Sequence, residues 1–200
     1  MKVIGHRGAR GLAPENTIKA FDKALQYGAH EIEFDVRVTK DHIPVVVHNP
    51  QIHDASGTEI TVKSSTYHEL KSHQPGLITL DTAMKYLIGK VVIQVEVKPA
   101  EPIDPIIAVL RQYHTTALAQ TIWLVSRDQK VLLALHAALP HFGTIVIEWW
   151  SGVRATHRAR QLGTKRISML EAWLWPGFIR AMHRGGYELY CFPFENAAKE

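Results

Sequence analysis

The stretch Glu31-Ile32-Glu33-Phe34-Asp35-Val36-Arg37-Val38 alternates charged and apolar residues without a break. Successive side chains of a β-strand point to opposite faces, so Glu31, Glu33, Asp35 and Arg37 share one face and Ile32, Phe34, Val36 and Val38 the other. The apolar face is an ordinary core face. The charged face sets carboxylates two residues apart, about 7 Å at the backbone, close enough to share one cation and, without one, to raise each other's pKa. Taken alone, the stretch fits a solvated strand face equally well, so its neighbours decide.

Upstream, residues 2–5 form a short strand that runs into His6-Arg7-Gly8-Ala9-Arg10-Gly11, where two glycines in a basic loop let backbone approach a ligand closely. Pro14-Glu15-Asn16-Thr17 opens a helix with Asn16 or Thr17 as its cap, and Asn16 is most simply a cap residue. Ile18, Phe21 and Leu25 give that helix its buried stripe and Gly28 stops it. Downstream, Asp41-His42 is a turn and residues 43–47 are extended, ending at His48. Residues 51–78 are irregular and constitute an excursion from the main fold. Thr79 caps a helix to about Ile88. A second informative strand follows, with Val91, Ile93, Val95 and Val97 on one face and Gln94, Glu96 and Lys98 on the other. Its polar groups again gather toward the C-terminal end.

From residue 104 onward the pattern is regular. Helices are expected over 104–114, 128–138, 154–162 and 176–184, and strands over 121–125, 143–148, 166–169 and 187–192. Alternating strand and helix means a parallel sheet with crossover helices. An open doubly wound sheet buries both faces of its inner strands, which then read as continuous apolar runs. Here two strands carry charge on one face near their C-terminal ends, where a barrel places functional groups at its mouth. The first loop lacks G-x-G-x-x-G and no Walker lysine follows it, so nucleotide-binding folds lose ground. The expected fold is α/β, a (β/α)8 TIM barrel in a single domain over residues 1–200. Seven main strands are legible, and a full barrel needs about 250 residues, so the final strand–helix unit is expected to be lacking. The resulting unpaired edges are expected to be covered by terminal segments or by a homodimer partner.

Composition supports a globular domain: 200 residues, 46% hydrophobic and 21% charged. No apolar run reaches membrane-spanning length and no basic-then-apolar leader precedes the first strand, so stable membrane insertion is not expected. The single cysteine, Cys191, cannot form an intrachain disulfide, which fits a cytoplasmic location. A net charge of +4 favours phosphate-bearing partners, but the positive residues are scattered, so nucleic acid is not expected.

The residues also carry a resemblance. His6-Arg7-Gly8, Ala13-Pro14-Glu15-Asn16-Thr17, Gly28-Ala29, Ile32-Glu33-Phe34-Asp35-Val36, Thr39-Lys40-Asp41, Pro44-Val45-Val46, His48, Thr79-Leu80 and Glu96-Val97-Lys98 occur in the order and spacing of the glycerophosphodiester phosphodiesterase family, which the chain resembles over residues 1–100. The resemblance implies Glu33, Asp35 and Glu96 as metal ligands. Three hard oxygen donors without cysteine suit Mg2+ or Ca2+. It implies His6 and His48 as the catalytic pair, with His48 assigned as general acid and His6 as general base. Arg7 and Lys98 would bind the substrate phosphate. The implied reaction is hydrolysis of a glycerophosphodiester such as glycerophosphocholine or glycerophosphoethanolamine to glycerol 3-phosphate and an alcohol, with the glycerol 2-hydroxyl attacking first.

Alternatives on the same fold are lysophospholipase D-like or sphingomyelinase D-like activity, or a catalytically impaired head-group binder. Three positions and one turn depart from the family pattern: Asn49 stands for an aspartate, Arg127 for a phenylalanine and Pro193 for a threonine, and residues 53–56 replace an Arg-Thr-Thr-like turn. Glu31 is assigned to a barrel-floor ion pair. Glu148-Trp149-Trp150 ends a strand at the mouth, where one ring could wall a pocket, and Trp173-Leu174-Trp175-Pro176-Gly177-Phe178 is an apolar segment assigned to packed core. The remaining ten histidines are assigned to the surface.

Overall fold

A computed structural model of the chain describes residues 2–54 and 56–192. In chain order the first half holds β1 (Ile4–Gly5), α1 (Ile18–Gln26), β2 (Glu31–Val38), β3 (Pro44–Val46), β4 (Gln51–His53), β5 (Glu59–Thr61), α2 (Tyr67–His73), α3 (Leu80–Leu87) and β6 (Val92–Val97). The second half holds α4 (Ile103–Leu110), α5 (Thr116–Ala119), β7 (Ile122–Ser126), α6 (Gln129–Ala138), β8 (Gly143–Glu148), α7 (Gly152–Gln161), β9 (Arg166–Leu170), α8 (Pro176–Arg184) and β10 (Glu188–Phe192).

The alternating stretch is β2, the strand from which the sheet spreads. Ile32, Phe34, Val36 and Val38 are buried under the helices, where Phe34 packs on Phe21 with ring centroids 5.7 Å apart. β1 runs parallel to the start of β2, with Ile4 beside Glu31, and β6 runs parallel along the other side, with Asp35 beside Glu96. β3 returns antiparallel against the end of β2, with Val36 opposite Val46. The full order is β1-β2-β6-β7-β8-β9-β10, every neighbouring pair parallel. The seven parallel strands are those of an open TIM-type barrel with helices outside, and all their C-terminal ends lie at one mouth. Among the described residues, β1 and β10 do not pair with each other.

The opposite end of the barrel is plugged by polar side chains. Glu31, buried, accepts from Gln94 Nε2 at 2.7 Å and Tyr190 Oη at 3.1 Å, with Arg166 Nη1 and Lys2 Nζ each 3.4 Å away. Arg166 lies over the Trp123 ring at 3.7 Å. Burial and the Glu31 charge push the Tyr190 hydroxyl pKa far up. Trp123 in turn packs flat on Gly143, where a Cβ would come within 2.4 Å of its ring.

Three local outcomes refine the sequence expectations. The cap of α1 is Thr17, whose hydroxyl accepts from Ala20 N; Asn16 sits before it with φ +57 and does other work. The helix expected over 104–114 is α4 followed by a 3-10 turn at Arg111–Tyr113, and α5 was unexpected because four residues are too few to show a period. β4 and β5 form an antiparallel hairpin, with Ile52 opposite Ile60, over a small apolar cluster of its own that includes Val45, Val62, Leu70 and Leu77. Pro193, which the sequence sets apart from the family pattern, lies outside the described residues. Among the described residues no helix is long and apolar enough to cross a membrane.

Candidate active site

Register between β2 and β6 assembles the acidic cluster. Asp35 and Glu96 are paired neighbours and Glu33 lies beside Gln94, so the inward faces of two adjacent strands converge at the mouth. Glu33, Asp35 and Glu96 each offer an oxygen within 4.8 Å of the others, and all three residues are buried. Lys98, the next inward residue after Glu96, puts Nζ 2.5 Å from Asp35 Oδ1 and 2.8 Å from Glu96 Oε1.

The first loop closes over this cluster from the other side. Arg7 N donates to Glu33 Oε2 at 2.9 Å, Arg7 Nε lies 3.3 Å from Asp35 Oδ2, and Arg7 Nη1 donates to both oxygens of Glu15 at 2.9 Å. Arg7 and Gly8 both adopt left-handed backbone, φ +53 and +78, and a Cβ at Gly8 would come within 2.7 Å of Ala20. The glycine therefore serves close approach to α1 as well as the turn. Asn16, buried and left-handed, donates from Nδ2 to Asp35 Oδ2 at 2.9 Å and accepts from Asp35 N through Oδ1 at 3.3 Å, while its own N donates to Arg7 O at 2.9 Å. It fastens the loop to the acid that the loop serves.

These surroundings drive the acids apart. Burial, then the charges of Asp35 and Glu96, push Glu33 well above the usual carboxylate range. Burial also penalises the Asp35 charge, yet Lys98, His48, Arg7 and Asn16 together hold it down at about 2. Glu33 Oε1 is buried with no hydrogen-bond donor among the described residues. Three clustered carboxylates, one with an orphaned buried oxygen, form a donor set that fits a hard divalent cation.

Both sequence-predicted histidines act on the cluster, His6 beside Glu33 and His48 through its charge on Asp35. His6 Nε2 lies 3.9 Å from Glu33 Oε2 with the ring partly exposed. His48 is half-buried, and its Nδ1 is 2.7 Å from Asn49 Oδ1. Burial, then Lys98 and Arg7, lower the His48 pKa against the opposing pull of Asp35 and Asn49. Arg37 holds the His48 backbone, donating from Nε to its carbonyl at 2.8 Å, and its Nη1 pairs with Glu101 at 2.8 Å. Arg37 thus leaves the acidic cluster although it begins on the same strand face.

The cluster opens into a cavity of about 250 Å³ lined by His6, Arg7, Glu33 and Glu96, by Gln94 and Ser168 deeper in, and by Arg127, Trp149 and Phe192 on the far wall. Of the tryptophans at this end, Trp149 walls the cavity, Trp150 and Trp175 are exposed, and Trp173 packs behind with Nε1 donating to Trp149 O at 2.9 Å. Sequence reasoning missed two residues here. Asn16 looked like a helix cap, and nothing local signals a partner nineteen positions away. Arg127, set apart in the sequence only as a departure from the family pattern, follows β7 and reaches the cavity wall because β7 lies beside β6.

The model of the glycerophosphoryl diester phosphodiesterase family matches residues 6–197. A glycerophosphodiester phosphodiesterase of Bacillus altitudinis is 44% identical over 70 residues, covering 35% of this chain and 29% of that protein. The matched stretches span less than half the length of the first curated relatives. Among solved structures, a phosphodiesterase of Oleispira antarctica, in complex with the product sn-glycerol-3-phosphate, superposes with a TM-score of 0.84 at 22% identity, covering 99% of this chain and 86% of that one. A glycerophosphodiester phosphodiesterase of Thermotoga maritima gives a TM-score of 0.80 at 21% identity, covering 99% and 88%. At that identity the structural likeness speaks for the fold.

Proposed function

We propose that this chain, which belongs to the glycerophosphoryl diester phosphodiesterase family, hydrolyses glycerophosphodiesters to glycerol 3-phosphate and a free alcohol. The observation that carries the proposal is the cluster of three buried carboxylates at a cavity lined by His6, Glu33 and Glu96, with the His48 charge acting on Asp35. Phosphodiester cleavage needs a proton taken from the nucleophile and another given to the leaving oxygen, and two imidazoles across a phosphate meet that need.

Glu33, Asp35 and Glu96 are the residues proposed to hold Mg2+ or Ca2+, which when bound supplies Lewis-acid polarisation of the phosphoryl oxygens. Arg7 and Lys98 add positive charge beside the three carboxylates, so that an anionic diester can approach.

Burial, with Lys98 and Arg7, lowers the His48 pKa, which suits a proton acceptor, and on that ground the proposal gives His48 the acceptor role and His6 the donor role. His48 takes the proton of the attacking glycerol 2-hydroxyl as that oxygen bonds to phosphorus. The bond from phosphorus to the alcohol breaks, and His6 protonates the departing oxygen. For opening of the cyclic phosphate the roles exchange: His6 takes a proton from water and His48 returns one to the 2-oxygen, restoring both rings.

Incubation with glycerophosphocholine and glycerophosphoglycerol, with and without chelator, tests this directly. Glycerol 3-phosphate is expected only with divalent cation, and His6→Ala and His48→Ala each abolish it. Undiminished activity in chelator would remove the metal from the proposal, and turnover by His6→Ala would remove the histidine pair.

A further inference from the structure

We propose that Arg127, laid on Trp149 at the cavity wall, selects the leaving alcohol, favouring diesters that release a neutral or anionic polyol over those that release a quaternary ammonium alcohol such as choline. The inference rests on the proposed function for its reaction, and its binding arm stands apart from turnover.

The cations of the mouth divide by burial. Arg7 and Lys98 are 3% and 4% exposed and held against Asp35, Glu96 and Glu15. The Arg127 side chain is 44% exposed, lines the cavity, and comes no nearer than 3.7 Å to Glu96 through Nε. Its guanidinium sits 4.6 Å from the centroid of Trp149. An aromatic face is what a quaternary ammonium seeks in a protein cavity. Here arginine already covers that face, and Phe192 packs against the same ring with centroids 5.1 Å apart. A choline head would meet a covered ring and a like charge, whereas hydroxyl or anionic oxygens would meet a guanidinium rich in donors.

The stacked pair is built into the fold. Arg158, buried on α7, donates from Nη2 to Arg127 O at 3.1 Å and from Nη1 to Ile147 O at 2.7 Å and Glu148 Oε2 at 3.2 Å. Glu148 Oε1 accepts from Trp149 N and Trp150 N, each at 3.1 Å. One buried ion pair therefore fixes both backbone turns that present the cation and the ring. A buried pair satisfied by this many hydrogen bonds specifies geometry more than it adds stability.

Binding of glycerophosphocholine and glycerophosphoglycerol is measured by calorimetry in a His6→Ala background, and kcat/KM for both in the parent. Each is repeated with Arg127→Met and Arg127→Lys after melting curves confirm folding. The parent is expected to favour glycerophosphoglycerol by roughly tenfold, the scale of one cation–π contact exchanged for a like-charge approach. Arg127→Met brings the ratio to about one or inverts it, because the Trp149 face opens to choline. Arg127→Lys keeps the direction of the preference. A parent that prefers choline, or an Arg127→Met ratio equal to that of the parent, overturns the inference. Loss of turnover for both diesters with the binding preference intact overturns the proposed reaction and upholds the selectivity; no preference in binding overturns the selectivity whatever the turnover.

Discussion

Replacing Asn16 by alanine probes the site through stability as well as chemistry. The buried amide donates to the ionised Asp35 at 2.9 Å, and losing a hydrogen bond to a charged acceptor costs about 1.5–3 kcal/mol. The residue also sits at φ +57, where an alanine Cβ adds roughly 1 kcal/mol that asparagine tolerates better. The expected destabilisation is therefore about 3 kcal/mol, or roughly 6–12 °C in Tm for a chain of this size. Asn16→Gly separates the two contributions, because glycine accepts the left-handed backbone but not the hydrogen bond, and should recover about 1 kcal/mol. Urea titrations in chelator, with m compared across variants, keep cation linkage out of the measurement. Asn16→Ala within about 1 kcal/mol of the parent, or Asn16→Gly no more stable than Asn16→Ala, would refute the assignment of this residue as the fastener of Asp35.

Three further outcomes are expected. Because His48 is lowered and must be neutral to accept a proton, the acid limb of kcat/KM should have its midpoint below the ordinary 6.5; a midpoint above it would take the acceptor role from His48. Glu33 carries a raised pKa, so the folded state holds its proton more tightly than the unfolded chain, and the penalty of its charge grows as pH rises above 4.5. Glu33→Gln should therefore raise Tm in chelator at neutral pH while losing the gain that divalent cation gives the parent, about 2.7 kcal/mol at a hundredfold excess over Kd; a Tm gain retained in the variant would place the cation elsewhere. Gly143→Ala forces the Trp123 ring off the strand, with an overpacking cost of about 1–3 kcal/mol by urea denaturation, and no loss would mean that the ring moves freely.

Much of this was legible because strand periodicity carries both faces at once. The alternation in residues 31–38 and 91–98 identified the inward acids, and the repeated strand–helix rhythm implied that both strands end at one mouth. The assigned floor residue Glu31 does lie in a buried ionic network. What sequence could not show depends on contacts between distant positions. Asn16 has the local signature of a cap, and only tertiary contact turns it to Asp35 while Thr17 caps the helix. Arg37 shares the face of Glu33 and Asp35, yet Glu101 draws it away. Residue type does not encode which histidine is acid and which is base, and the proposed order rests on the burial of His48.

Glu31 acts as a hub with spokes to Lys2 before β1, Gln94 on β6, Arg166 on β9 and Tyr190 on β10. Backbone ladders run round the wall and, among the described residues, do not cross from β10 to β1, whereas these spokes span the bore. The first and last staves are thereby tied through Glu31, and Lys2 also pairs directly with Glu188 on β10 at 2.7 Å, so amide hydrogens of β1 and β10 should exchange in a shared opening event rather than fray one by one. Cutting the hub would loosen the rim that carries His6 without touching it.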